Sequence, residues 1–272
     1  MSRLKVGMIG VGNMASAIAK AIVRAVPTET LLLANRTPEK IQQLVQDLAA
    51  KQITMEQVGP DLIEQCDLIF VGVKPTELET LFKSLTADIQ TTHPITWVSM
   101  ASNVSLTKLE SLIPAHHQWI RIMPNTPVEV GQGYTSYCYS KTVSSEVLER
   151  FKGLMSQSGV LAEIDETQFD AASGMAGCSP AFIYQLIEAM SDAGVAHGLK
   201  RNQSIEMAAQ AVKGAASMVL ETDLHPAQLK DAVTSPGGTT IAGVTALEAA
   251  GFRSAIIQGV TASIEKTREL QE

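Results

Sequence analysis

The chain has 272 residues, 45% of them apolar and only 4% aromatic, so a sizeable core must be packed from Ala, Val, Leu, Ile and Met. The net charge of −7 is uneven: residues 165–272 hold seven Lys or Arg against thirteen Asp or Glu, while residues 1–164 hold fourteen against fifteen. That acidic second half speaks against nucleic acid and anionic membrane as partners.

Lys5-Val6-Gly7-Met8-Ile9 reads as a short buried strand, followed by Gly10-Val11-Gly12-Asn13-Met14-Ala15 and a helical pattern through Ala25. The early apolar run is broken by glycines, so it is a strand and turn rather than a signal peptide. Leu31–Ala34 is a second buried strand. Thr37-Pro38-Glu39 then opens a helix, with Thr37 as N-cap and Pro38 at the first helical position. Leu68–Val73, Ile95–Ser99 and Trp119–Ile122 repeat the apolar run, with helical stretches between them. Strands alternating with helices predict a parallel sheet covered on both faces. Near Asp165-Glu166 the character changes, and helical patterns follow over Pro180–His197, Ser204–Leu220, Pro226–Val233, Thr240–Ala250 and Ser254–Leu270. The expected organisation is α/β: a parallel-sheet domain over 1–164, then an all-helical domain over 165–272. Small residues recur in these helices and would let them approach closely. The longest uncharged stretch, Ala171–Ile187, is short of the about 20 mostly apolar residues a membrane span needs, so no membrane partner is expected.

Gly10-x-Gly12-x-x-Ala15 lies between a strand and a helix, the context a dinucleotide fingerprint requires. The first Gly permits a tight turn, the second lets backbone approach a pyrophosphate, and the small third residue lets helix pack on strand. The helix N-terminus then offers N–H groups to phosphate. The first domain is therefore expected to be of Rossmann type, with Gly10, Val11, Gly12, Asn13, Met14 and Ala15 around the cofactor. A glycine-rich turn without a ligand is the plainer alternative. An NAD-binding unit carries Asp or Glu at the end of its second strand. Here stand Asn35, Arg36 and Thr37, with Arg36 suited to a 2′-phosphate. This points to NADP(H), with NAD(H) as second candidate; a solvated Arg36 at a helix start is the alternative. Gly72-Val73-Lys74-Pro75 and Met100-Ala101-Ser102 follow strands on the ligand-binding edge of such a sheet. Lys74 reads equally as a surface lysine and as a cofactor contact. Asn125 or Thr126, in a loop stiffened by two prolines, is a candidate partner for the nicotinamide amide.

Cys66, Cys138 and Cys178 have no metal spacing and read as reduced thiols of a cytoplasmic protein. The five histidines show no ligand pattern, no metal is expected, and His116-His117 reads as a loop pair.

The motifs Ile9-Gly10-Val11-Gly12-Asn13-Met14, Val73-Lys74-Pro75, Arg121–Pro127 and Asp231–Glu248, the last containing Ser235-Pro236-Gly237-Gly238-Thr239-Thr240, occur in this order. Together they resemble the pyrroline-5-carboxylate reductase family over essentially the whole chain. The resemblance implies a Rossmann domain followed by a helical dimerisation domain, a homodimer, and further assembly of dimers. It implies a reductase that takes 1-pyrroline-5-carboxylate to L-proline. It places the substrate carboxylate on Ser235, Gly237, Gly238, Thr239 and Thr240, with the Thr240 hydroxyl next to the imine nitrogen, relaying a proton or positioning an imine already protonated. A glycine-preceded helix start can bind a small carboxylate without arginine; a plain N-capping loop would need only one hydroxyl. Glu166 matches a position near the ligand, where a carboxylate favours an iminium; a water-facing helix-start glutamate is the alternative. Cys178 and Ala232 depart from the family pattern, and Cys178 reads as packing. The competing readings are another NADP-linked imine or hydroxyacid reductase and a non-catalytic dinucleotide sensor. Hydroxyacid dehydrogenases rely on a helical-domain lysine, whereas Lys200 and Lys213 sit in ordinary amphipathic positions.

Overall fold

The computed structural model describes residues 5–26, 31–53, 58–91 and 93–270. In chain order, the first elements are β1 (Val6–Ile9), α1 (Asn13–Ala25), β2 (Leu31–Ala34), α2 (Gln42–Asp47), β3 (Lys51–Ile53), β4 (Leu68–Val71), α3 (Leu78–Ser84) and α4 (Thr86–Thr91). There follow β5 (Thr96–Ser99), α5 (Leu106–Glu110), β6 (Gln118–Met123), β7 (Gly133–Tyr139), α6 (Ser145–Met155), β8 (Gly159–Glu163) and α7 (Phe169–Ala172). The remainder is helical: α8 (Ser179–Ala196), α9 (Arg201–Glu221), α10 (Pro226–Ala232), α11 (Thr239–Ala249) and α12 (Phe252–Glu269).

One eight-stranded sheet runs in the order β3-β2-β1-β4-β5-β6-β7-β8. Alternate residues feed two cores, one on each face, because strand side chains alternate. Met8, Leu33, Phe70, Val98 and Ile120 pack beneath Ile18 and Ile22 of α1 and Phe151 of α6. Ile9, Ile69, Val71, Trp97 and Trp119 pack beneath Phe82 of α3 and the turn at Leu62. Each such side chain contributes roughly 1.5–3 kcal/mol of transfer free energy.

The sheet is not wholly parallel as expected: β7 runs antiparallel to β6. The link between them, 124–132, is too short for a parallel crossover and reverses at Gly131, φ +72°. Strands β3, β7 and β8 are additional to the five expected. The start at Thr37 also differs. Pro38–Ile41 is a 3-10 turn, and Thr37 supplies no side-chain cap.

Two compact units emerge: residues 1–177 with 264–272, and residues 178–263. The change of sequence character at residue 165 thus falls before the division, because Phe169 is buried in the first unit and Gly174 lies so close to Ile264 that a Cβ would meet it at 2.4 Å. In the second unit α8 lies close on α9: a Cβ on Gly194 would meet Ser204 Oγ at 2.1 Å, and that hydroxyl donates to Ser191 O. Among its described residues, Ala208 is the one buried apolar side chain. Met207, Leu220, Val233 and Ile257 are all more than half exposed. No single helix among the described residues is long and apolar enough to cross a membrane, and α11 with α12 passes that test only as a pair bent by 52°.

His117 is in a loop, as expected, but is buried. Its Nδ1 accepts from Ile95 N at 3.0 Å, so Nε2 carries the proton and donates to Ile89 O at 2.8 Å. Burial pushes its pKa below the ordinary 6.5. The neutral ring is therefore favoured in the fold, and its stabilisation is complete above about pH 6.5 and lost as pH falls through the lowered folded value. The thermal midpoint should fall between about pH 7 and pH 5, and His117→Phe should flatten that slope while costing about 1–3 kcal/mol for each orphaned backbone group. A slope unchanged in the variant would remove His117 as its source.

Candidate active site

The carboxyl ends of β1, β2, β4 and β5 meet along one edge, as their parallel register requires. There the glycines divide into two kinds. Gly10 has φ +81°, and a Cβ on it would meet Val73 Cγ1 at 2.6 Å. A Cβ on Gly72 would meet Gly10 O at 2.3 Å and the Ala15 methyl at 2.9 Å. The chain itself needs these two to be glycine, since the first loop and the Gly72-Val73 turn touch. Gly12 differs: its φ is an ordinary −91°, and a Cβ on it would meet nothing within 4 Å. No neighbour explains the missing side chain, but an incoming ligand would. Ser16 N is the first amide to bond back, to Gly12 O, leaving the N–H groups of Asn13, Met14 and Ala15 at an exposed helix start with no acidic residue in its first turn. These features fit a dinucleotide pyrophosphate.

Other expected contacts are braces within the protein. Val11 N donates to Asn35 Oδ1 at 3.1 Å, and Asn35 Nδ2 donates to Thr37 O at 2.9 Å. The Val11 amide is therefore engaged, and Asn35 ties the glycine loop to the end of β2 with one N–H left over. Arg36, 84% exposed, pairs with Glu77 Oε1 at 2.9 Å. Such a surface pair is worth about 0–1 kcal/mol, which a phosphate dianion can displace. Lys74 and Pro75 are exposed at the start of the turn carrying Glu77. Met100 N donates to Val71 O, Ala101 is buried with its amide on Ser99 Oγ, and Ser102 is exposed. Asn125 links two segments: Nδ2 donates to Ala176 O at 3.0 Å and Oδ1 accepts from Tyr134 N at 2.9 Å. Glu77 was missed by the sequence reading, because no local pattern places it opposite Arg36.

Glu166 does not simply face water. It opens a 3-10 turn capped by Asp165, and its Oε1 accepts from Leu106 N at 2.6 Å and Arg121 Nη1 at 2.7 Å. Arg121 is buried, with its guanidinium 4.3 Å from the centre of the Phe169 ring. The pair lies at one wall of a cleft of about 790 Å3 that also takes in Pro75, Leu78, Asn103 and Lys108. Arg121 was missed as more than a strand residue; the signal was a charge inside the apolar run Trp119–Ile122.

In the second unit, Ser235-Pro236-Gly237-Gly238 forms a tight turn, with Gly238 N donating to Ser235 O at 3.0 Å and Gly237 at φ +69°. Proline second and positive-φ glycine third is the type II pattern. The conformationally required glycine is thus Gly237. Gly238 caps α11 at an ordinary φ of −81°, and a Cβ there would meet Ser235 Oγ at 3.0 Å. The Thr234 hydroxyl is turned back onto Lys230 O. Ala242 N is the first amide of α11 to bond back, to Gly238 O. The N–H groups of Thr239, Thr240 and Ile241 therefore lie at a helix start with no acidic first turn and no side-chain cap. Ser235, Thr239 and Thr240 are exposed beside them.

A Rossmann sheet with this glycine cradle defines an NAD(P)-linked oxidoreductase of two-part design. The family model described as pyrroline-5-carboxylate reductase dimerisation matches residues 166–270, and that described as NADP oxidoreductase, coenzyme F420-dependent, matches residues 5–101. Pyrroline-5-carboxylate reductase 2 of Homo sapiens is 35% identical over 98% of this chain and 84% of its own length. Pyrroline-5-carboxylate reductase of Synechocystis sp. is 38% identical over 98% of both chains. The crystal structure of Plasmodium falciparum pyrroline carboxylate reductase with NADP bound covers all of both chains with a TM-score of 0.86 at 30% identity. The chain belongs to the pyrroline-5-carboxylate reductase family.

The two kinds of glycine separate experimentally. Gly12→Ala should melt like the parent yet bind NADPH at least about tenfold more weakly, since only the ligand meets the new methyl. Gly72→Ala should lower the melting temperature, because its methyl meets backbone. Unchanged NADPH affinity in Gly12→Ala would remove the cradle from the binding site.

Proposed function

We propose that the protein reduces 1-pyrroline-5-carboxylate to L-proline with NADPH, as the last step of proline biosynthesis. The observation that carries this reading is the second anion site: an arginine-free, backbone-lined helix start at 235–241, on a chain whose other unit holds a dinucleotide cradle. The names borne by its full-length relatives support it. When bound, the nicotinamide supplies a hydride equivalent to the imine carbon. Gly10, Gly12 and the first turn of α1 would hold its pyrophosphate, and Arg36 the 2′-phosphate, with Lys74, Pro75, Met100, Ala101 and Ser102 along the same edge. NADH is the second cofactor candidate.

The work of the protein is binding, orientation and placement of a proton. The N–H groups of Thr239, Thr240 and Ile241 donate to the carboxylate, and Ser235 and Thr239 add hydroxyl donors. Thr240 then sets its hydroxyl toward the ring nitrogen, which must finish protonated. Glu166, with its charge countered by Arg121, contributes field rather than a free base. Asn125, with one amide hydrogen unassigned, contacts the cofactor amide. We assign the chain to homodimers, which assemble further, through residues 165–272. We place it in the cytoplasm, in keeping with its three free cysteines.

The direct test is oxidation of NADPH by purified protein with pyrroline-5-carboxylate, against six-membered imines and 2-keto acids. Turnover confined to keto acids would replace the reading by a hydroxyacid reductase, and binding of NADPH without turnover of any acid would make it a sensor. Arg36→Ala should raise KM for NADPH by a factor equivalent to about 1.5–3 kcal/mol and leave that for NADH nearly unchanged; Glu77→Gln should move it slightly the other way. Gly237→Val should raise substrate KM most, since a β-branched residue resists positive φ. Thr240→Ala should lower kcat at least about tenfold with little change in KM. Wild-type turnover in Thr240→Ala would remove its proton role.

A further inference from the structure

The outermost strand on one side of the sheet, β8, has a strand neighbour on one side only among the described residues. Gly133 N donates to Ser158 O and Ile164 N donates to Tyr137 O. In a parallel ladder this phase turns residues 158, 160, 162 and 164 toward β7. The N–H and C=O groups of Gly159, Leu161 and Glu163 point outward.

Exposed edges are usually blunted by lysine, proline, a bulge or very short length. The opposite edge, β3, has three residues and begins with a lysine. β8 has none of these protections: it reads Gly-Val-Leu-Ala-Glu, and Val160 is 53% exposed. Its single charge is turned along the sheet, where Glu163 accepts from the hydroxyls of Tyr137 at 3.3 Å and Tyr139 at 3.1 Å.

The edge is also complementary to itself. Two copies laid antiparallel about a two-fold axis at Leu161 set Leu161 opposite Leu161, and Gly159 opposite Glu163. Each outward-facing residue then meets another, so N–H and C=O groups are exchanged in pairs. The strand ends at Glu163, and the match to the dimerisation family begins at residue 166. The edge therefore runs straight into the region that joins two copies.

We propose that β8 pairs with β8 of a second copy, antiparallel and centred on Leu161, so that the two sheets become one. This rests on the homodimer reading above. The occupant is a second copy because a two-fold at Leu161 pairs every outward N–H and C=O group of the edge, and because the edge adjoins the region matched by the dimerisation family model.

Residue-resolved amide exchange on the full-length protein, with light scattering on the same sample, tests it. The amides of Val160 and Ala162 are held by β7 in any case. Those of Leu161 and Glu163 should be protected only by a partner strand, exchanging at least roughly 100-fold more slowly than free amides. Leu161→Pro removes an outward N–H without touching the β7 ladder. It should leave a dimer in which Glu163 exchanges fast. A dimer whose Leu161 and Glu163 amides exchange freely, while Val160 and Ala162 are protected, overturns the pairing and leaves the dimer reading standing. A monomer overturns both. Protection of Leu161 and Glu163 in a monomer would overturn the pairing too, since the chain would then be covering its own edge.

Discussion

The helical unit cannot hide its own apolar surface, and much else follows from that. Residues 178–263 bury one alanine as their apolar core among the described residues, while Met207, Leu220, Val233 and Ile257 stand in water. Roughly 25 cal/mol per Å2 is forgone wherever such surface stays wet. A domain with that balance is stabilised only by burial against another surface. Helix α11 shows the point most sharply: none of its residues is buried. The turn at Ser235–Gly238 is mounted on the end of that helix. Its rigidity comes from its own proline and positive-φ glycine, and from whatever covers α11.

Glycine and polar residues carry the chemistry in two different ways. Gly10, Gly72 and Gly237 are fixed by the chain, through positive φ or backbone contact. Gly12 has no such reason within the chain: a Cβ there would meet nothing within 4 Å. The polar residues divide similarly. Asn35 and Glu166 were read as ligand contacts, but each also braces the fold, one on the Val11 amide and the other on Arg121 and the Leu106 amide. A site built this way is preorganised before anything binds, which is what orientation-driven chemistry needs.

The central strands were legible because each is a short, fully apolar run, and the five C-terminal helices because their ends carry Pro, Gly or a change of pattern. Pro226 and Gly251 mark such ends. Strands β7 and β8 were not legible. Gly-Tyr-Thr-Ser-Tyr-Cys-Tyr is polar for a buried strand, and β8 is a half-exposed edge. β3 is too short to show a period. At the site, the glycine cradle was legible in its spacing between strand and helix, whereas the Ser235–Thr240 loop was singled out by the family resemblance. The roles of Arg121 and Glu77 were not legible, because their partners, Glu166 and Arg36, are distant in sequence.

The central claim is that the helical half is stable only when two copies share it. Equilibrium unfolding by urea, followed by helical circular dichroism over a wide range of protein concentration, tests this most directly. For a dimer that unfolds to two chains, a roughly hundredfold rise in concentration adds about 2.7 kcal/mol per dimer, and the midpoint climbs accordingly. A midpoint independent of concentration, with a monomer by light scattering, would contradict the account.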